Sequence, residues 1–189
     1  MFIVFDTETT GLPEDFSAPI TNVNNWPRIV QLAWKVYDIN GKVISSNNRI
    51  VRPDGFIIPD DSIRVHRITN ERAKAEGVPL ELVLKEFAKD LQNSNFLVAH
   101  NISFDNKVTA CEFFRLKMKN YMRDIVHICT MNSTVNFCRI QGKMGLKPPT
   151  LTELHKKLFN KGKFLNKIIF SLDASAIFED PVVSNGSNF

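Results

Sequence analysis

The chain has 189 residues, 43% hydrophobic and 23% charged, ordinary figures for a single globular domain able to bury a full core. Three cysteines (Cys111, Cys129, Cys138) with no Cys-x-x-Cys pair argue against a disulfide framework or a zinc site and suit a reducing cytosol. No stretch approaches the ~20 apolar residues needed to span a bilayer, and the N-terminus lacks the basic flank of a signal peptide, so a soluble, cytoplasmic protein is expected. The net charge of +4 hides an asymmetry: residues 107–167 hold 13 Lys and Arg against 3 Asp and Glu, while the remainder is acidic. That asymmetry suits a polyanionic partner, or else solvated helix faces whose lysine stems cover apolar surface.

Residues 2–6 (Phe-Ile-Val-Phe-Asp) read as a buried strand that runs into Thr7-Glu8-Thr9-Thr10-Gly11. A polar loop rich in Pro and Asn follows. Arg28–Asp38 reads as a second strand, Asn40-Gly41 as a type I′ hairpin turn, and Val43–Val51 as the returning strand. The chain therefore opens as an antiparallel meander.

Helices come next. Asp60-Asp61-Ser62 can cap a short helix through His66. Thr69 is a plausible N-cap for 70–76, and Gly77 ends that helix. Pro79 suits the first residue of another, whose Leu80, Val83, Leu84, Phe87, Ala88 and Leu91 form one amphipathic stripe. Phe96–Ala99 reads as a second buried strand. A helix begins near Ser103 with Phe104, Val108 and Cys111 facing inward. Asp124–Cys129 reads as a strand. Thr150 caps a helix carrying Leu151, Leu154, Leu158 and Phe159, and residues 181–189 read as a loose polar tail. The order implies a mixed sheet with helices on its faces.

Asp6 and Glu8 are two apart on a strand, so both side chains point to one side while Thr7 faces away. Asp105 lies in the first turn after the 96–99 strand, at the C-terminal edge where open α/β sheets collect ligands. If the 96–99 strand runs parallel beside 2–6, the three carboxylates meet. Three acids so close stay ionised only with a hard cation, and oxygen-only ligation points to Mg²⁺ or Mn²⁺ rather than zinc. Such a site suits phosphodiester hydrolysis with two ions. The competing reading makes Asp6 and Glu8 solvated strand-end residues and Asp105 a helix starter.

Phe-Asp-Thr-Glu-Thr-Thr-Gly at 5–11 and Asn-Ile-Ser-Phe-Asp at 101–105 resemble the first two motifs of the DEDDh 3′–5′ exonucleases, the class of the proofreading epsilon subunit of bacterial DNA polymerase III. Val65-His66-Arg67-Ile68-Thr69 is similar to the family's Val-His-Gly-Ile-Thr, with Arg67 in place of glycine. Arg28-Ile-Val-Gln31 and Leu151-Thr-Glu-Leu154 also stand where the family has related residues. The resemblance covers about residues 1–160. It implies an α/β, ribonuclease H-like exonuclease fold: a mixed five-stranded sheet, antiparallel meander then parallel strands, flanked by helices and spanning 1–180. It further implies Asp6, Glu8 and Asp105 as catalytic metal ligands for Mg²⁺ or Mn²⁺, and His66 as a contact to the terminal nucleotide. The partners it implies are single-stranded DNA or RNA 3′ ends, DNA ahead of RNA, and a DNA polymerase.

The third motif departs from the family. The pattern His-x-x-x-x-Asp supplies the general base and the last metal ligand. Here Leu172 stands at the histidine position and Ile177 at the aspartate position. His155, with Asn160 five residues on, belongs to the preceding helix. Asp173 and Asp180 lie at i−4 and i+3 from Ile177, so a helix would put them on its face, within reach of a metal; neither replaces the base. A truncated or shifted reading frame would produce such an end, and a restored His-x-x-x-x-Asp in the next frame of the coding DNA would settle it. Three roles follow: an impaired metal-dependent exonuclease, a degenerate domain that binds nucleic-acid ends without cutting, or a structural domain. The last would not need Asp6, Glu8 and Asp105 intact.

Overall fold

The structure, a computed structural model, describes residues 1–159. Its centre is β1 (Phe2–Thr9), whose Ile3, Val4 and Phe5 are buried on both faces, as the uninterrupted apolar run requires. β2 (Ile29–Tyr37) pairs antiparallel with β1, and β3 (Val43–Ile50) antiparallel with β2. β4 (Phe96–Ala99) and β5 (Val126–Cys129) add in parallel on the other side, giving the order β3-β2-β1-β4-β5. The expected five-stranded mixed sheet, meander first and parallel strands after, is the observed one. Parallel pairing of β1 with β4 puts the C-terminal ends of β1, β4 and β5 along one edge.

Alternation along β1 sorts the core. Ile3 and Phe5 enter the main cluster with Trp34, Phe87, Leu97 and Phe113. Phe87 meets the Trp34 ring edge-on at 5.3 Å and Phe5 at 5.6 Å. Phe87 lies on α3 (Leu80–Leu91), whose buried residues are the six of the predicted stripe. Val4 packs on the opposite face with Tyr37, Phe2, Val98 and Leu151.

α1 (Asp60–His66) is preceded by Pro59 with no side-chain cap, so Asp60 and Asp61 act from its first turn, where negative charge favours the helix dipole. It closes on Arg67 in the left-handed region, φ 63°, where the resembled family has glycine. Thr69 caps α2 (Asn70–Glu76) by accepting from the Arg72 N–H, as predicted. Gly77 ends α2 for a steric reason: a Cβ there would stand 2.1 Å from the Ala73 carbonyl oxygen and 2.7 Å from the Arg52 nitrogen. Pro79 sits one residue before α3 rather than inside it.

The β2–β3 turn is not type I′, because Asn40 keeps a negative φ. Gly41 alone turns left-handed, φ 78°, after an Asp38-to-Gly41 hydrogen bond, and Asp38 Oδ1 accepts from the Asn40 and Lys42 amides. That is a three-residue loop with a glycine bulge. α4 (Ile102–Arg115) buries Val108 and Cys111 as expected. A 3₁₀ turn over Tyr121–Asp124 takes the start of the predicted fifth strand. Beyond β5 come elements with no sequence forecast: α5 (Thr130–Ser133), α6 (Val135–Cys138) and a hairpin of β6 (Ile140–Gly142) and β7 (Gly145–Lys147). α7 (Leu151–Phe159) starts on a capping box, in which Thr150 Oγ1 accepts from the Glu153 amide and Glu153 Oε2 from the Thr150 amide. Among the described residues no helix is long and apolar enough to cross a membrane.

Candidate active site

Asp6 and Glu8 lie in the regular part of β1, opposite Ala33 and Gln31 of β2, before the register shifts at Thr9. Their side chains therefore share a face, and both are half-buried. Beside them Gln31, itself buried, donates from Nε2 to Asn48 Oδ1 at 2.7 Å. A fixed pair of amides thus borders the acids on the meander side, an arrangement that the sequence motifs did not reveal.

Thr7 points the other way and meets Asp105. Asp105 Oδ1 accepts from the Thr7 amide at 3.1 Å and from Thr7 Oγ1 at 2.7 Å. Asp105 as a whole is 3% exposed. Burial pushes its pKa up to about 6, against the lowering pull of the two Thr7 hydrogen bonds. The sequence predicts that parallel pairing of β1 with β4 brings all three acids together. Asp6 and Glu8 share a face of β1, and Asp105 is tied to Thr7, the residue between them. Among the described residues no three acidic, cysteine or histidine side chains stand together as one ligand set.

His66 sits at the end of α1, close to the Thr9 backbone and so beside the C-terminal end of β1. Its Nδ1 accepts from the Ile68 amide at 3.1 Å, which leaves the ring proton on Nε2. That nitrogen is buried and has no partner in hydrogen-bonding geometry. Burial holds the imidazole below the usual histidine range, partly opposed by the Thr9 backbone. A neutral His66 therefore keeps its Nε2–H buried beside the Thr9 backbone at the end of β1.

Two further groups brace the edge. Glu112, fully buried on α4, accepts through Oε1 from Arg28 Nε (2.8 Å), the Ile29 amide (3.1 Å) and Arg115 Nη1 (3.0 Å). Arg28 also stacks on Phe56, and its amide donates to Thr10 Oγ1. Arg115 reaches the carbonyls of Val23, Trp26 and Pro27. These contacts fix the loop leaving β1 against the helix that carries Asp105. His100, at the end of β4, bridges Thr130 Oγ1 and the Pro149 carbonyl, each at 3.1 Å.

The exonuclease family model (RNase_T) matches residues 3–163. The chain belongs to this exonuclease family. The exonuclease domain is 34% identical over 108 residues to exodeoxyribonuclease 10 of Escherichia coli, covering 57% of this chain and 40% of that protein. It is 28% identical over 166 residues to the PolC-type DNA polymerase III of Staphylococcus aureus, covering 84% of this chain and 10% of that one. The chain thus spans less than half the length of these relatives. A crystal structure of E. coli exonuclease I in complex with a dA16 oligonucleotide superposes with a TM-score of 0.68 over 93% of this chain and 38% of that one, at 19% identity. That likeness establishes the ribonuclease H-like fold of the exonuclease domain. The third-motif positions Leu172, Asp173, Ile177 and Asp180, like Asn160, lie outside the described residues.

Proposed function

We propose that residues 1–180 form a metal-dependent 3′–5′ exonuclease domain that hydrolyses phosphodiester bonds at single-stranded nucleic-acid 3′ ends, DNA ahead of RNA. The observation that carries this reading is the placement of Asp6 and Glu8 on one face at the C-terminal end of β1, with Asp105 bonded to Thr7 between them. The donor set fits hard divalent cations: it is all carboxylate oxygen, and a desolvated Asp105 gains from any nearby positive charge. Asp6 and Glu8 would hold Mg²⁺ or Mn²⁺, and Asp105 would complete the site's negative field. Such ions supply stabilisation of the charge that builds on the phosphoryl oxygens during in-line displacement.

The chain's own residues do the rest. Thr7 sets the position of Asp105. His66, whose pKa burial lowers, stands beside the end of β1 as the contact to the terminal nucleotide. The Glu112–Arg28–Arg115 cluster keeps the β1 exit loop in register with α4. With Leu172 and Ile177 in the third motif, no histidine there takes the water's proton, and the rate is expected to fall about 10²–10⁴-fold relative to an intact site. A DNA polymerase is the protein partner that this reading names, by analogy with the PolC-type relatives.

The test is release of mononucleotides from a 3′-labelled oligonucleotide with Mn²⁺. Slow release that vanishes in Asp6→Ala supports the proposal. Release equal in the two proteins, or none in either, overturns it. The Leu172 and Ile177 replacements favour a second reading, a domain that binds 3′ ends without cutting. Its signature is binding that weakens steeply with salt and no release.

A further inference from the structure

Residues 125–152 contain no carboxylate, yet carry Arg139, Lys143 and Lys147. Lys147 is engaged by Glu153 at 2.7 Å. Arg139 and Lys143 have no ion-pair partner among the described residues, and both are exposed. Large apolar groups accompany them at the surface: Phe137 is 50% exposed, Leu146 40%, and Met144 at the hairpin tip wholly so. Cations without acids, set beside one exposed aromatic ring and two exposed aliphatic side chains, make a surface suited to phosphates and a stacked base.

The placement of this surface links it to the site. The excursion from Thr130 to Pro149 starts and ends on one imidazole, with Thr130 Oγ1 at His100 Nδ1 and the Pro149 carbonyl at His100 Nε2. His100 closes β4, and the parallel pairing of β4 with β1 puts it on the same sheet edge as the C-terminal end of β1, which carries Asp6 and Glu8. Both feet of the excursion therefore stand at the candidate active-site edge. α6 packs against β7 and α7, which holds the hairpin as a fixed arm.

We propose that α6 and the β6–β7 hairpin form a second grip on single-stranded nucleic acid, holding the strand on the 5′ side of the nucleotide at the acids. Phe137 supplies a stacking face, and Arg139 and Lys143 supply phosphate contacts. This rests on the proposed exonuclease reading for the polarity of the strand. The grip itself is a binding property that exists with or without hydrolysis.

The test uses the full chain in EDTA, so that nothing is cut, with fluorescent oligodeoxynucleotides at the two ends of the usual ~4–16-nucleotide range. The double variant Arg139→Ala/Lys143→Ala should bind the long oligonucleotide about 10-fold more weakly. Its log–log salt slope should fall by about 1.4, at ~0.7 per lost single-strand phosphate contact. The short oligonucleotide should bind as to the parent chain. Phe137→Ala should weaken the long oligonucleotide about 5-fold or more with the salt slope unchanged. Circular dichroism of both variants should match the parent, since the altered side chains are exposed. Equal losses for both lengths, or no loss for the long one, overturn the grip. Mononucleotide release in Mn²⁺, measured alongside, tests the exonuclease reading separately: length-dependent loss of binding without release keeps the grip and removes the enzyme.

Discussion

Asp105→Asn makes the strongest use of the buried acid. In the unfolded chain this carboxyl has its ordinary pKa of 3.8, and in the folded, metal-free protein it is pushed up to about 6. At 1.36 kcal/mol per tenfold change in proton affinity, the difference is at most about 3 kcal/mol. The sign follows from proton counting. Between the two values the folded state binds more protons than the unfolded one, so stability falls as pH rises. The neutral acid carries no penalty below about pH 4, and the full penalty is reached above about pH 6. Asparagine keeps an Oδ1 that can accept from the Thr7 amide and hydroxyl, and it never ionises. The stability of Asp105→Asn minus that of the parent should therefore climb by up to about 3 kcal/mol from pH 4 to pH 7. Urea unfolding in EDTA at each pH measures it. Added Mg²⁺ should then reverse part of the gain, because a cation that binds the native parent stabilises it by about 2.7 kcal/mol at 100 times Kd. A difference that is flat across pH 4–7 would refute the claim that burial governs this carboxyl.

Two other substitutions probe the frame. Glu112→Gln leaves Arg28 and Arg115 without their shared charge and should cost about 2–4 kcal/mol by chemical unfolding, on the scale of a broken buried ion pair; a loss under about 1 kcal/mol would mean that the cluster is not holding the β1 exit loop. Gly77→Ala drives a methyl into the Ala73 carbonyl and the Arg52 backbone, and should cost about 1–3 kcal/mol with a lowered melting temperature; an unchanged melting temperature would show that the chain yields there at no cost.

Much of this fold was legible because its signals are local. The α3 stripe follows from six apolar positions at helical spacing, and all six are buried. β1 and β4 announced themselves as short apolar runs ending in polar residues, and their parallel pairing gave the site edge. Thr7 was read as facing away from the acids, which is so, but its partnership with Asp105 spans 98 residues of sequence and no local pattern encodes it. The Arg28–Glu112 contact, 84 residues apart, was hidden for the same reason. The β6–β7 hairpin was missed because each strand has three residues, too few for alternation to register. Asn40-Gly41 suggested a two-residue turn, but Asp38 accepts from two amides of the loop and favours the three-residue form.

In the proposed function the acids of β1 and α4 form a hydrolytic centre whose weakness lies in the third motif. The measurement that reaches it most directly is mononucleotide release from a 3′-labelled oligonucleotide in Mn²⁺, by the parent chain and by Leu172→His/Ile177→Asp. The parent should release slowly and the double variant about 10²–10⁴-fold faster, both abolished by Asp6→Ala. A double variant no faster than the parent, or release that survives Asp6→Ala, would contradict it.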